Sequence, residues 1–535
     1  MEVTYARLRA TDPGRWRAAA LAWRGWASTV ARWAAALGGQ ASRLRSAWSG
    51  AAAVAAAGFL DRLCRRLTLF RVTCWAADQV LREFAGALSR ARALLARARR
   101  GADRAGLVID DRGRVTAPAR PPSPAAPFRA AYQAAADREA VRRTAADLSV
   151  ALTVADAADA AAAGALTALA QPEAVPPPAA PPPPATATPT QVRRWWDGLT
   201  PAQRRWLAVT RTAWLGSADG VPAGYRDLAN RLRLDEQRAE LDRAIAGADG
   251  RELRRLRGLR DGLDALAGRL DGEDGPRGYL LRLDLGGEGR TVVALGDPDR
   301  AAQVLTHVPG MTADLASAGG ELSRAERVAV RATELDPARA TSAVLWLDYD
   351  APDFVDEAAR RAQAEAGAPA LRRFQEGLRA AHDGPARLTV LGHSYGSLVV
   401  GSAAATPGLA ADGVVFVGSP GVGVESARQL HLPADRVWST TSRADVIQYA
   451  PVAPESVVKD LALSRLVPGA GALLAFGTPE DELWHGHNPS DPAFGSRVFA
   501  SQADAGHLGY WAPGRPALDA LATITLGGEP DVTPR

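Results

Sequence analysis

The sequence predicts two structural classes in one chain: an all-α helical bundle, then an α/β domain with a mostly parallel sheet covered by helices on both faces. Three observations predict this. Residues 1–170 are rich in Ala and Arg with helical period. A Pro-rich stretch follows, with Pro176-Pro177-Pro178 and Pro181 to Pro184 mixed with Ala and Thr. From Gly278 on, short continuous apolar runs alternate with helical ones, the pattern of strands buried on both faces.

At 535 residues the chain is long for one domain. The Pro-rich stretch favours an extended polyproline conformation and cannot pack as a helix. It places a linker at 171–190, between a bundle at 1–170 and a second domain at 191–535. Two cysteines, Cys64 and Cys74, exclude a disulfide framework. On one helix their rise would be about 15 Å, too far to bridge, so both read as thiols in a helical core. The net charge is +5, and residues 1–110 hold 19 Arg against 7 acidic residues. Lys459 is the sole Lys, so the Arg bias reflects genome composition. No nucleic-acid motif accompanies it, and no nucleic-acid partner is expected. The run Ala51–Leu60 is too short to span a bilayer, and the N-terminus lacks a signal-peptide core, so no transmembrane segment is expected.

In the bundle, Trp16, Trp23, Trp26 and Trp33 recur at offsets that fall on one side of a helix. They predict a long helix with that stripe in the bundle core. Trp48-Ser49-Gly50 interrupts it, and a second helix covers about Ala51–Arg100, making an αα-hairpin. A short extended piece at Gly106–Asp110 turns at Asp111-Arg112-Gly113, and a third helix covers about Phe128–Ala170. The W-x-G between two helices, with the hairpin around it, resembles the WxG-motif family of helical hairpins, substrates of type VII secretion in Gram-positive bacteria. The resemblance spans about residues 10–100. It implies a helical protein partner and export without a cleaved signal; the alternative is a cytoplasmic protein. That family's Tyr-x-x-x-acid tag is not matched, because Tyr132 is followed by Ala136, with Asp137 one position late.

Residues 191–275 read as a helical preamble: Val192–Asp197, Pro201–Val209 and Tyr225–Leu241, with a Gly-containing loop at Gly216–Pro222, then a charged helical stretch at about Glu236–Leu270. Seven strands follow, at Tyr279–Leu283, Thr291–Leu295, Val304–Val308, Ala343–Leu347, Leu388–Leu391, Gly413–Val417 and Arg436–Ser439. Helices at Leu322–Glu334 and Val355–Ala381 lie between them.

The chemistry centres on Gly392-His393-Ser394-Tyr395-Gly396. This G-x-S-x-G follows an apolar strand and precedes the helix-compatible run Ser397–Ala405. Strand, sharp turn and helix are the context of a nucleophile elbow. A serine hydroxyl is a poor nucleophile until a base takes its proton and an acid orients that base. On a sheet of this kind the chain order is Ser, then acid, then His. Asp445 lies just past the strand Arg436–Ser439, at the edge where open α/β sheets place ligands, whereas Asp435 lies at the opposite edge. His307, His382, His393 and His431 come too early. His507, between small residues and ahead of a last helix at about Pro516–Thr523, fits the base. His485-Gly486-His487 lacks the further ligands of a metal site and reads as a loop or cleft element, so no metal and no cofactor are expected. Backbone N–H groups must meet the oxyanion. Tyr395, next after the serine, supplies one. The loop His307–Thr312 after the third strand supplies the other, through Met311 or its rival Thr312.

These residues resemble an actinobacterial alpha/beta-hydrolase family long catalogued as a domain of unknown function. Further matches are Trp195–Leu199, Asp219–Pro222, Gly296–Asp299, Gly418–Gly423 and Gly506-His507, over about 191–525. The resemblance implies the alpha/beta-hydrolase fold and a triad of Ser394, His507 and Asp445. The expectation is a serine hydrolase working by acyl transfer, on a small-molecule carboxylic ester. The alternatives are an amidase or peptidase with the same triad, or a partner-binding protein whose hydrolase domain is inactive. The segment between Asp445 and His507 reads as a cap, with Leu461, Leu463, Leu466, Val467, Leu473–Phe476 and Phe494 packing on the core or lining an acyl cleft.

Overall fold

A computed structural model describes residues 3–118, 127–170, 181–272, 275–445, 447 and 482–531. The chain divides into two compact units, Met1–Ala174 and Val175–Arg535.

The first unit is helical. It contains α1 (Tyr5–Ala10), α2 (Pro13–Ala47), α3 (Ala51–Arg104), a small hairpin of β1 (Val108–Ile109) with β2 (Val115–Thr116), and α4 (Pro127–Leu169). Asp12 caps α2 by accepting from Gly14 N–H, with Pro13 in the first turn. Helix α2 lies along α3 through a seam of small side chains: Ala20, Ala27, Val30 and Ala41 are fully buried. The Arg24 guanidinium donates to Asp78 at 2.9 Å inside this seam.

The Trp stripe departs from expectation. Trp16 and Trp23 stay 38% and 37% exposed, Trp26 and Trp33 just over half exposed. Small Ala residues let the two backbones approach, and an indole does not fit that seam; the stripe runs along its flank. Among the described residues, Trp16 alone of the four meets a ring, Phe84, edge-on at 5.0 Å. Cys74 is buried as expected, but Cys64 is only half-buried. Helix α4 packs through Leu148, Ala151, Ala155 and Ala162 onto the Phe84–Leu95 stretch of α3. Its Phe128–Leu169 stretch is long and apolar enough to cross a membrane by length and composition alone.

The second unit opens with the preamble α5 (Pro189–Asp197), α6 (Pro201–Thr210), α7 (Thr212–Ser217), α8 (Ala223–Ile245) and α9 (Gly250–Asp271). Thr188 and Thr200 each form a capping box, with Gln191 and Gln203. Two departures occur here: α7 is an additional short helix, and the charged stretch is two helices, broken at Ala246-Gly247-Ala248-Asp249.

The preamble is tied to the sheet by buried charge. Asp227, fully buried, accepts from Arg231, from Arg277 at 2.8 Å and from Leu280 N–H at 2.9 Å. Burial alone would raise its pKa, but the two guanidiniums and the N–H outweigh it and hold it below the usual carboxylate range.

The strands are β3 (Gly278–Asp284), β4 (Arg290–Leu295), β5 (Gln303–Val308), β6 (Thr341–Leu347), β7 (Arg387–His393), β8 (Gly413–Val417) and β9 (Val437–Thr440). The short β10 (Glu482–Leu483), β11 (Gly486–His487) and β12 (Arg497–Val498) follow. The eight-stranded sheet runs β12-β9-β8-β7-β5-β6-β4-β3, with β4 antiparallel to both its neighbours and every other pair parallel. Alternate residues feed opposite faces. Leu388, Val390, Val414 and Phe416 pack with α12 (Ala362–Ala381) and α13 (Gly396–Ala405). Leu391, Val415 and Val417 pack with α10 (Ala318–Leu335) and α14 (Pro516–Thr525).

The helix expected over Val355–Ala381 is divided into α11 (Val355–Ala358) and α12. The Tyr395 hydroxyl accounts for the break. It donates to Arg360 O at 2.7 Å and accepts from Ala364 N–H at 3.3 Å, serving backbone groups that a continuous helix would satisfy itself.

Candidate active site

Ser394 sits at φ +53°, a left-handed conformation rare outside glycine. Its N–H donates to Val417 O at 3.0 Å and its carbonyl accepts from Ser397 N–H at 2.9 Å, so neighbouring elements hold the strain in place. Glycine is required close by. A Cβ on Gly396 would lie 2.2 Å from Val308 O. The loop after β5 therefore lies directly against the elbow, and a Cβ on Gly310 would stand 3.1 Å from Ser394 Oγ.

That loop bears on the oxyanion question. Thr312 N–H donates to Pro352 O at 2.9 Å, so the rival donor is already used. Among the described residues the N–H groups of Met311 and Tyr395 have no acceptor, and both residues line the same cavity as Ser394. Tyr349 steadies the loop by donating its hydroxyl proton to Pro309 O at 2.7 Å.

Asp445 and His507 meet as the sequence order requires. His507 Nδ1 lies 2.9 and 3.0 Å from the two Asp445 oxygens. A carboxylate accepts, so Nδ1 carries the proton and the lone pair of neutral His507 is on Nε2. Asp445 is fully buried and also accepts from Tyr510 Oη at 2.6 Å and Ile447 N–H at 3.1 Å. Gly418, at φ +54°, closes over the pair; a Cβ there would stand 2.7 Å from Asp445 Oδ2 and 3.3 Å from the His507 ring.

A cavity of about 320 Å³ unites these groups. Its apolar wall includes Met311, Val355, Ala358, Pro420, Ile447, Trp484 and Leu508, and its polar side holds His393, Ser394, His507, Glu321 and Arg324. Phe494 is instead buried in the core, stacked beside His487 at 6.5 Å. Leu461, Leu463, Leu466, Val467 and Leu473–Phe476 lie outside the described residues. His485 donates through Nε2 to Ala358 O at 2.8 Å, which pins the β10–β11 turn to α11. Among the described residues no group of three or more His, Cys, Asp or Glu could hold a metal.

Four site residues escape sequence reasoning. His393, wholly buried, donates from Nε2 to the His507 carbonyl at 3.0 Å, and its ring lies 4.8 Å from the His507 ring. Burial, then the neighbouring His507, push it well below the usual histidine range, so it stays neutral. Glu321 accepts from His307 at 2.9 Å and from Arg324, whose guanidinium stands over the Trp511 ring at 5.4 Å. Burial opposes its charge, but the His307 hydrogen bond and the charges of His307 and Arg324 hold it down at about 2. Tyr510 is the fourth. Tyr510, three residues after His507, and His393, inside the elbow next to Ser394, are the two that give a local signal.

A family model described as alpha/beta hydrolase matches residues 284–454. Uncharacterized protein Rv2079 of Mycobacterium tuberculosis is 32% identical over 380 residues, or 63% of this chain and 55% of that protein. Uncharacterized protein Mb0988c of Mycobacterium bovis is 33% identical over 193 residues, or 34% of this chain and 69% of that protein. The chain spans about half the length of the first of these relatives. Sheet order, elbow and these likenesses agree, and the chain belongs to an actinobacterial family of alpha/beta hydrolases.

Proposed function

We propose that this protein is a serine hydrolase that cleaves carboxylic esters by acyl transfer. One observation carries the reading: a cavity holds a left-handed Ser394, a carboxylate-bound His507 and two N–H groups without acceptors among the described residues. His507 Nε2 takes the proton as Ser394 Oγ attacks the ester carbonyl carbon. The N–H groups of Tyr395 and Met311 receive the negative oxygen. The tetrahedral intermediate collapses, and His507 returns the proton to the departing alkoxide. Water then attacks the acyl-enzyme with His507 again as base, releasing the acid and restoring Ser394. The apolar wall from Met311 to Leu508 suits the hydrocarbon part of such an ester.

A fluorophosphonate probe tests this. Wild type is expected to be labelled at Ser394 and Ser394→Ala to remain blank. Equal labelling of both, or of neither, overturns the reading. Matched short-chain esters and amides given to unlabelled wild type then separate esterase from amidase.

A further inference from the structure

Asp445 is the most enclosed member of the constellation, and its hydrogen bonds reveal a residue beyond the triad. The Tyr510 ring is fully buried, wedged edge-on against Trp511 at 5.9 Å. Its oxygen lies 2.6 Å from Asp445 Oδ2 and 2.9 Å from Ser442 N. These two contacts fix the direction of the phenol proton. An N–H can only donate, so Ser442 occupies a lone pair of the hydroxyl and leaves its proton for the carboxylate. The same turn closes on itself, since Asp445 N–H donates to Ser442 O at 2.9 Å. Ser442 Oγ in turn donates to Gln502 O at 2.8 Å, tying the acid's loop to the segment that carries the base.

We propose that Tyr510 is a positioning residue: its hydroxyl holds the Asp445 carboxylate in the orientation that receives His507 Nδ1. This rests on the serine hydrolase reading. Tyr510 acts through Asp445, and among the described residues it does not line the cavity. A short charge-assisted hydrogen bond of this kind both restrains the carboxylate plane and absorbs part of its charge. With the phenol proton removed, His507 becomes the principal counter-charge.

The test compares full-length wild type with Tyr510→Phe on p-nitrophenyl butyrate across pH, with thermal unfolding measured in parallel. The expected result is a fall in kcat of roughly tenfold or more with KM little changed. The acid limb of kcat/KM is expected to move to higher pH. Should Tyr510→Phe fail to fold, 3-fluorotyrosine placed at position 510 keeps the shape and strengthens the donor. It is expected to move the acid limb the opposite way. An active wild type whose pH profile is unmoved by either change overturns the proposal and leaves the hydrolase reading standing. A wild type inert to both ester and fluorophosphonate overturns the two together.

Discussion

Helix α2 and the sheet unit's core treat tryptophan in opposite ways. In the helical unit Trp26 and Trp33 are more than half exposed, while alanines fill the seam between α2 and α3. In the sheet unit Trp346, Trp511 and Trp196 are among the most deeply buried side chains of the chain. Helical periodicity says which residues share a side, not which side faces the partner. A hairpin can choose a seam of small residues and leave an aromatic stripe beside it. A strand covered on both faces has no such choice, so its apolar run is buried whatever its register.

The largest expected effect lies in the sheet unit. Ser394→Ala should lower kcat on p-nitrophenyl butyrate by about four to six orders of magnitude, measured by single-turnover kinetics on the folded variant. A residual rate within tenfold of wild type would make the constellation ornamental. Next comes the contrast between the units themselves. Trp346→Ala should cost about 3–5 kcal/mol, read from calorimetric unfolding of the full chain, because it empties a packed core site. Glu321 sharpens the comparison by pH. Its folded pKa lies below its unfolded one, so its contribution is complete above about 4.5 and is lost as pH falls toward about 2. That contribution is on the order of 3 kcal/mol. Glu321→Gln should flatten the acid limb of a stability-against-pH curve, and a curve parallel to wild type would refute the assignment. The smallest effect is Trp26→Ala, expected to change stability by less than about 1 kcal/mol. A larger loss would mean that the exposed stripe contributes to the fold.

Much of the second unit was legible because its signals are local. The seven main strands are continuous apolar runs, and each lies within two residues of its expected bounds. Ser394, Asp445 and His507 follow from an elbow motif and an order along the chain, and the structure brings Asp445 and His507 into contact. What the sequence concealed depends on distant partners. Tyr510, Glu321 and Arg324 become site residues only when the sheet brings α10, β7 and the last loops together, and His393, though inside the elbow motif, owes its bond to the His507 carbonyl to the same assembly. The break between α11 and α12 is set by a hydroxyl from Tyr395, 31 residues from Ala364, and no periodicity records it. Between Met311 and Thr312 the distinguishing bond is again long-range, since Pro352 O captures the Thr312 N–H.

The end of β8 has a consequence for how the site tolerates change. Val417 accepts from the Ser394 backbone, and the very next residue, Gly418, lies against Asp445 and His507 while donating its own N–H to Thr440 at 3.0 Å. In the proposed mechanism, nucleophile, base and acid therefore share one two-residue mount. Val355, Trp484 and Leu508 line the cavity but take no part in this mount, so substitutions there are expected to change what enters the cavity more than how Asp445 meets His507.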